Sequence, residues 1–217
     1  MSEIKDKEKE NFINVKFLYF SKLSYICQMP DARRIHKEIV ECAGDKDRSG
    51  VKASPLDGLQ HFEGTIHGPP DSPYANGVFS IDIRLPNDYP FEPPRMRFLT
   101  RVWHPNISSQ TGAICLDILT KEWSPAFTIR TTLVSILALL TSPEPDDPQD
   151  AIVAQQYITN RSSYIIQAKD WTQKYATAKS NEELLKPFIE RGIPIATARK
   201  ALADAGLDLG RALSRFK

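Results

Sequence analysis

The sequence predicts an α+β fold: an antiparallel meander sheet flanked by helices, followed by a small three-helix C-terminal module. Three observations carry this reading. Apolar residues alternate with polar ones in consecutive segments with no helix between them, the pattern of antiparallel strands with one covered face. Helical periodicities precede this run and follow it, which separates strands from helices along the chain as α+β folds do. The chain then closes on three short helical patterns broken by glycines.

Taken in order, residues 1–28 stand apart from the rest of the chain. A mixed-charge start, Met1 to Asn11, leads into an aromatic, β-branched stretch interrupted by Lys16 and Lys22. Acids at the start and lysines within the apolar part argue against a secretory signal, and the stretch is too short and too interrupted to span a membrane. The reading is an N-terminal extension, disordered or upstream of the biological start. Pro30 and Asp31 then introduce a first helix with Ile35 and Ile39 on one stripe, ending near Gly44. Strands come next at Leu59–Ile66, Val78–Leu85 and Arg95–Leu99; in the second, Phe79, Ile81, Ile83 and Leu85 alternate with Ser80, Asp82 and Arg84. Gly68 to Pro73 is turn material. Helical patterns cover Thr131–Leu140, Asp150–Thr159 and Ser162–Tyr175. Beyond a linker at 177–181, the last three patterns are Glu182–Arg191, Ile195–Ala205 and Leu209–Phe216, with Gly192 and Gly206 at the breaks and Pro194 at a helix start.

Composition narrows the function. The 217 residues carry 28 Lys+Arg against 27 Asp+Glu, a formal charge of +1. A chain this near neutrality has no global field to draw in nucleic acid or an anionic membrane. At 41% hydrophobic and 25% charged, it is not disordered over its length. Cys27, Cys42 and Cys115 are too few and too scattered for a disulfide scaffold, and neither they nor His36, His61, His67 and His104 have metal-ligand spacing. A reducing intracellular compartment fits best.

The informative stretch is Arg101 to Ile129, a long segment with little regular pattern, and such loops inside compact domains are usually functional. It holds His104-Pro105-Asn106, then Cys115 nine residues after Asn106, then Leu116-Asp117-Ile118-Leu119 and Trp123-Ser124-Pro125. With Tyr89-Pro90-Phe91-Glu92-Pro93-Pro94 before it and Glu144-Pro145-Asp146-Asp147-Pro148 after it, the chain resembles the ubiquitin-conjugating enzyme family over residues 30–176, four motifs in family order. The catalytic domain is accordingly bounded at 29–176.

The chemistry can also be read from the residues. A lone cysteine in an irregular loop is either an inert core thiol or a covalent carrier, since a thiolate is a potent nucleophile and its thioester stays reactive. The surrounding motifs favour the carrier for Cys115 and leave Cys27 and Cys42 structural or incidental. His104 reads as a turn residue that holds the loop by hydrogen bonds. For Asn106 the resemblance implies a donor to the oxyanion formed when a lysine attacks the thioester; the alternative is a brace for the turn, and both roles can hold together. Asp147 has an alternative as well: Asp147-Pro148-Gln149-Asp150 has the form of a helix entry, with an acceptor at the cap and proline in the first position. By resemblance Asp147 flanks the acceptor-lysine entrance, where it orients the amine, and Asp117 lies beside the same entrance.

The resemblance further implies a docking patch for ubiquitin ligases at Phe91, Pro125 and Ala126, with Arg33 and Lys37 of the first helix adding charge; core packing and turn stiffness are the plainer alternatives. The ubiquitin-activating enzyme would meet the same surface. Residues 182–217 look like a ubiquitin-associated (UBA) domain, although its usual Met-Gly-aromatic loop is replaced by Arg191-Gly192-Ile193-Pro194. Gly192, Ile193 and Leu213 are the candidate ubiquitin contacts, the alternative being a helical tail docked on the catalytic domain. The resemblance thus implies a cytoplasmic or nuclear enzyme that takes ubiquitin as a thioester on Cys115 and passes it to a lysine of a protein substrate or of another ubiquitin. Chain building for proteasomal degradation is part of that implication. No metal or organic cofactor is implied, because ATP is used by the activating enzyme. A conjugating enzyme for another ubiquitin-like modifier, or a non-catalytic ubiquitin-binding scaffold of the same fold, are the alternatives.

Overall fold

The computed structural model describes residues 32–43, 50–206 and 208–216, with 178–182 through their main chain alone. The N-terminal extension, Cys27 and the helix end near Gly44 lie outside the described residues.

Helix α1 spans Ala32–Ala43, and Ile35 and Ile39, one turn apart, are both buried. The sheet has four strands in sequential order, β1 (Val51–Asp57), β2 (His61–His67), β3 (Val78–Arg84) and β4 (Arg95–Phe98), each antiparallel to the next. β1 is the strand that the sequence reading does not contain. Its buried positions are Val51 and Ala53, and Pro55 interrupts it where the register shifts between Pro55 and Asp57. Proline cannot donate to a ladder, so an edge strand is where it is tolerated.

Alternation sorts the sheet into two faces. Phe62 opposite Ile83, Gly64 opposite Ile81 and Ile66 opposite Phe79 form the apolar inner face, all buried. Helix α2 (Ile129–Thr141) lies against it with Ile129, Leu133 and Ile136 buried. Gly64 allows that approach, because a Cβ there would stand 2.9 Å from Ile83 and 3.0 Å from Leu133. Helices α3 (Ala151–Thr159) and α4 (Arg161–Tyr175) complete the domain. The cap of α3 is Asp150 and not Asp147, correcting the helix entry expected at Asp147-Pro148: Asp150 accepts from Val153 N at 3.2 Å, and the helix starts at Ala151.

The C-terminal module comprises α5 (Ala178–Ile189), α6 (Ile195–Asp204), α7 (Leu209–Leu213) and a 3-10 turn at Ser214–Phe216. The expected linker at 177–181 is therefore mostly the first turn of α5. Phe188, Ala198, Ala201, Leu202, Ala205 and Ala212 form a small apolar core of its own. Gly192 and Gly206 end helices with φ of 70° and 65°, the left-handed conformation expected of helix-terminating glycines.

This module rests on the outer face of the sheet. Arg199 donates to both oxygens of Glu63 at 3.1 and 3.0 Å, Lys200 pairs with Asp57, Arg84 donates to Asp204 at 2.7 Å, and Arg97 donates to the Ala203 carbonyl at 3.1 Å. Burial would push the Asp204 carboxyl up, but Arg84 and Arg215, one on each of its oxygens, hold it below the usual range. Beneath the module Asp82 is 3% exposed and is satisfied by His61, Arg84 and Arg97. A buried carboxylate persists only with such partners.

Candidate active site

Between β4 and α2 the chain is knitted by single bridges. His104 pairs with Ile107, Ile107 with Ile114, and Ala113 with Arg97 of β4. Gly112 takes φ of 74° and passes so close to β4 that a Cβ would stand 2.0 Å from the Phe98 carbonyl. Cys115 N then donates to Asn106 O at 2.9 Å, which fixes the cysteine directly beside the His104-Pro105-Asn106 turn. A 3-10 turn, Asp117–Leu119, carries the chain away.

His104 holds this turn. Its ring is buried, Nδ1 accepts from Asn106 N at 3.0 Å, and Nε2 donates to the Leu139 carbonyl at 3.0 Å. Burial pushes its pKa down to about 3, so the imidazole is neutral and engaged at both nitrogens. It is no base for Cys115.

Asn106 is 2% exposed, and its amide joins the turn to the 144–150 loop. Nδ2 donates to the carbonyls of Glu144 at 2.8 Å and Asp147 at 3.0 Å, while Oδ1 accepts from Glu144 N at 2.8 Å. Both amide hydrogens are thereby used, so donation to an oxyanion requires giving one bond up. The Pro105 carbonyl accepts from Gln149 N and Asp150 N, and Asp150 Oδ2 accepts from Ser109 N. These bonds carry Asp147, exposed, to the cysteine: Oδ2 is 3.8 Å from Sγ, which donates to it.

Cys115 is half-buried, whereas Cys42 is 0% exposed. Burial raises the Cys115 thiol above its ordinary pKa, and Asp147, Asp117 and Glu144 add to that rise by their charge. Asp117 is exposed on the 3-10 turn. Glu144 is a member of this carboxylate rim that sequence reasoning missed; its place in the Glu144–Pro148 motif was visible, but not that the loop folds back to the cysteine. Among the described residues no group of three His, Cys, Asp or Glu side chains is arranged to hold a metal ion, and no helix is long and apolar enough to cross a membrane.

The remaining sequence candidates fall at two other places. Phe91 is 75% exposed, which removes core packing as its role, and Pro125 and Ala126 are exposed. Their two turns are joined by Trp123, whose Nε1 donates to the Pro90 carbonyl at 2.8 Å. Arg33 and Lys37 are exposed on α1. In the C-terminal module Gly192 is exposed, but Ile193 and Leu213 are partly buried against the module's own core. Among the described residues, the large apolar side chains exposed there are Ile189 and Ile195, which neighbour the glycine loop and which spacing alone did not single out.

A half-buried thiol thus lies beside three carboxylates, and the neighbouring His104 is neutral and committed to the main chain, so the two do not form a cysteine–histidine pair. The profile of the family described as ubiquitin-conjugating enzyme matches residues 34–172. Ubiquitin-conjugating enzyme E2 27 of Arabidopsis thaliana is 50% identical over 189 residues, covering 87% of this chain and 98% of that protein. Ubiquitin-conjugating enzyme E2 K of Homo sapiens is 46% identical over 147 residues, 67% of this chain and 73% of that protein. Among solved structures, the E2 domain of a Toxoplasma gondii ubiquitin conjugating enzyme aligns with a TM-score of 0.64 at 49% identity, covering 68% of this chain and 99% of that one. The chain belongs to the ubiquitin-conjugating enzyme family. It is a ubiquitin transferase that works through a cysteine thioester.

Proposed function

We propose that Cys115 is the cysteine that carries ubiquitin and that the loops around it prepare a lysine to receive it. The observation that carries this is the position of the thiol: half-buried, 3.8 Å from Asp147, on a segment fixed by Asn106. Ubiquitin arrives as a thioester on the activating enzyme. The Cys115 thiol gives up its proton, sulfur attacks the carbonyl carbon, and the activating enzyme's thiol leaves with a proton. In the second step a neutral lysine amine attacks the same carbon, the C–S bond breaks, the sulfur regains a proton, and an isopeptide bond remains. The raised thiol pKa bears on both steps. It slows formation of the thiolate, and it makes the sulfur a poorer leaving group, which protects the thioester from water.

The carboxylate rim attracts a lysine ammonium, yet a carboxylate by itself raises an amine's pKa from about 10.4. Desolvation on closing against ubiquitin must therefore supply the downward push. Asp147 accordingly orients the lysine and Asp117 borders its path. Asn106 holds Asp147 through the backbone it binds, and serves the oxyanion if it exchanges one of its two carbonyls. Ligases and the activating enzyme dock at Phe91, Pro125 and Ala126, with Lys37 adding charge. The C-terminal module acts as a UBA-like domain, bounded at 182–217 and preceded by a catalytic domain at 29–176. Its ubiquitin contact includes Gly192 with Ile189 and Ile195 rather than Leu213, and it holds an acceptor ubiquitin at high local concentration for chain building towards proteasomal degradation in the cytoplasm or nucleus.

The test is incubation with activating enzyme, ATP and ubiquitin. The expected product is an adduct cleaved by thiol reductants, replaced in Cys115→Ser by at most an ester that survives them. A reducible adduct that persists in Cys115→Ser moves the nucleophile elsewhere, and an adduct formed with another modifier but not with ubiquitin overturns the substrate.

A further inference from the structure

Glu38 of α1 is 3% exposed and takes no part in the chemistry at Cys115. Its Oε2 accepts from two groups distant in sequence, the Tyr89 hydroxyl at 2.7 Å and the main-chain N–H of Ile129 at 2.8 Å. Ile129 opens α2, where the first N–H groups lack partners within the helix and a negative charge is favoured. The Thr128–Thr131 capping box serves that terminus locally, and Glu38 serves it from another element. Tyr89, also buried, directly precedes Pro90 and the exposed Phe91. Pro90 in turn accepts from Trp123, whose ring faces Tyr89 at 6.1 Å and Phe127 at 5.9 Å, and between Trp123 and Phe127 lie the exposed Pro125 and Ala126. On α1 itself the neighbour of Glu38 is the exposed Lys37.

One buried oxygen of Glu38 therefore joins Tyr89, two residues before Phe91, to Ile129 at the start of α2, and the Trp123–Pro90 bond extends the link to the Pro125–Ala126 turn. We propose that Glu38 is a positioning residue for partner docking: it fixes the separation and angle of the pieces of the docking patch, so that it sets the affinity for the activating enzyme while leaving the reactivity of the Cys115 thioester alone. This rests on the docking role proposed above for Phe91, Pro125 and Ala126. A network of this kind is costly to break at one member, because the remaining buried donors lose their acceptor. Glutamine keeps the shape and a carbonyl oxygen that can accept both bonds, whereas alanine removes the acceptor.

The experiment measures charging by a purified ubiquitin-activating enzyme over a range of conjugating-enzyme concentrations, and separately the discharge of the preformed thioester to free lysine without ligase. Glu38→Ala is expected to raise the KM for charging about tenfold, as a misplaced binding element does, with kcat and the discharge rate within about twofold of the parent. Glu38→Gln is expected to restore KM to within about threefold, and Tyr89→Phe, which removes one bond and leaves the carboxylate on Ile129, to raise it by about threefold. Unchanged KM in Glu38→Ala overturns the proposal, as does a loss of kcat and discharge in step with KM, which marks general structural damage. Should Glu38→Ala not fold, Tyr89→Phe decides: an unchanged KM there is equally fatal. Phe91→Ala in the same assay separates the two readings. If it raises KM and Glu38→Ala does not, the positioning role fails alone; if it leaves KM unchanged, the docking patch itself is misassigned.

Discussion

The contact between the C-terminal module and the sheet is made largely of charge, and charge can be inverted. Arg199→Glu removes a pair with bonds of 3.1 and 3.0 Å whose side chains are 42% and 13% exposed. At that exposure the pair contributes about 1 kcal/mol after solvent screening. The new glutamate also faces Glu63, and two like charges about 4 Å apart repel by about 1 kcal/mol even in bulk water. Together these shift the docked-to-open ratio by about 2 kcal/mol, roughly thirtyfold. Ala203 offers the readout: it is 1% exposed yet lies outside the module's own apolar cluster, and its carbonyl accepts from Arg97 of the sheet. A cysteine reporter, Ala203→Cys in a Cys115→Ser background, is shielded while the module is docked and is alkylated at a rate set by the open population. Adding Arg199→Glu should speed labelling roughly thirtyfold, Glu63→Arg alone should act similarly, and the two together should return the rate to within about threefold of the parent. Molar salt should speed the parent and not the reversed single variants. Labelling indifferent to either reversal, or a double variant as fast as the product of the singles, would refute an electrostatic clamp.

Two further outcomes are expected at the site. Asp147→Asn removes a negative charge 3.8 Å from the thiol, so the pH profile of Cys115 alkylation, read by peptide mass, should move to lower pH, while discharge to lysine slows; an unmoved profile contradicts the contact. His104 has a pKa of about 3 in the folded protein against 6.5 for the free side chain, so below pH 6.5 the unfolded chain takes up a proton that the native one does not. Its contribution to stability is complete above pH 6.5 and is lost as pH falls towards 3, reaching about 2 kcal/mol at pH 5. An imidazole NMR signal of His104 that titrates between pH 5 and 7 would show that this reasoning is wrong.

Where the sequence was readable, one face of an element differed from the other. β3 shows Phe79, Ile81 and Ile83 against Ser80, Asp82 and Arg84, and its span came out within a residue. β1 was hidden because its inward positions include only a valine and an alanine before Pro55, a weak alternation with a residue that argues against a strand. Docking of the C-terminal helices was open as an alternative, but which face they cover had no signal, since Glu63, Asp82, Arg84 and Arg97 are what a solvated face would carry as well. At the entry to α3, Asp147-Pro148 imitates a cap, and Asp150 takes the role because it also binds Ser109 N. That Cys115 lies beside Asn106 was suggested by the motif resemblance, and the Cys115 N–Asn106 O bond at 2.9 Å joins them. Glu38 was not: its partners are 51 and 91 residues away, and only folding brings them to one oxygen.

The carboxylates around Cys115 have a consequence outside ubiquitin transfer. Peroxide attacks the thiolate, not the thiol, and the steps to sulfenic and then sulfinic acid begin from that form. Burial first, and then the charges of Asp147, Asp117 and Glu144, raise the thiol's pKa and so favour the less oxidisable thiol over the thiolate. The rim proposed above to draw in a lysine therefore also disfavours the form of the sulfur from which oxidation begins.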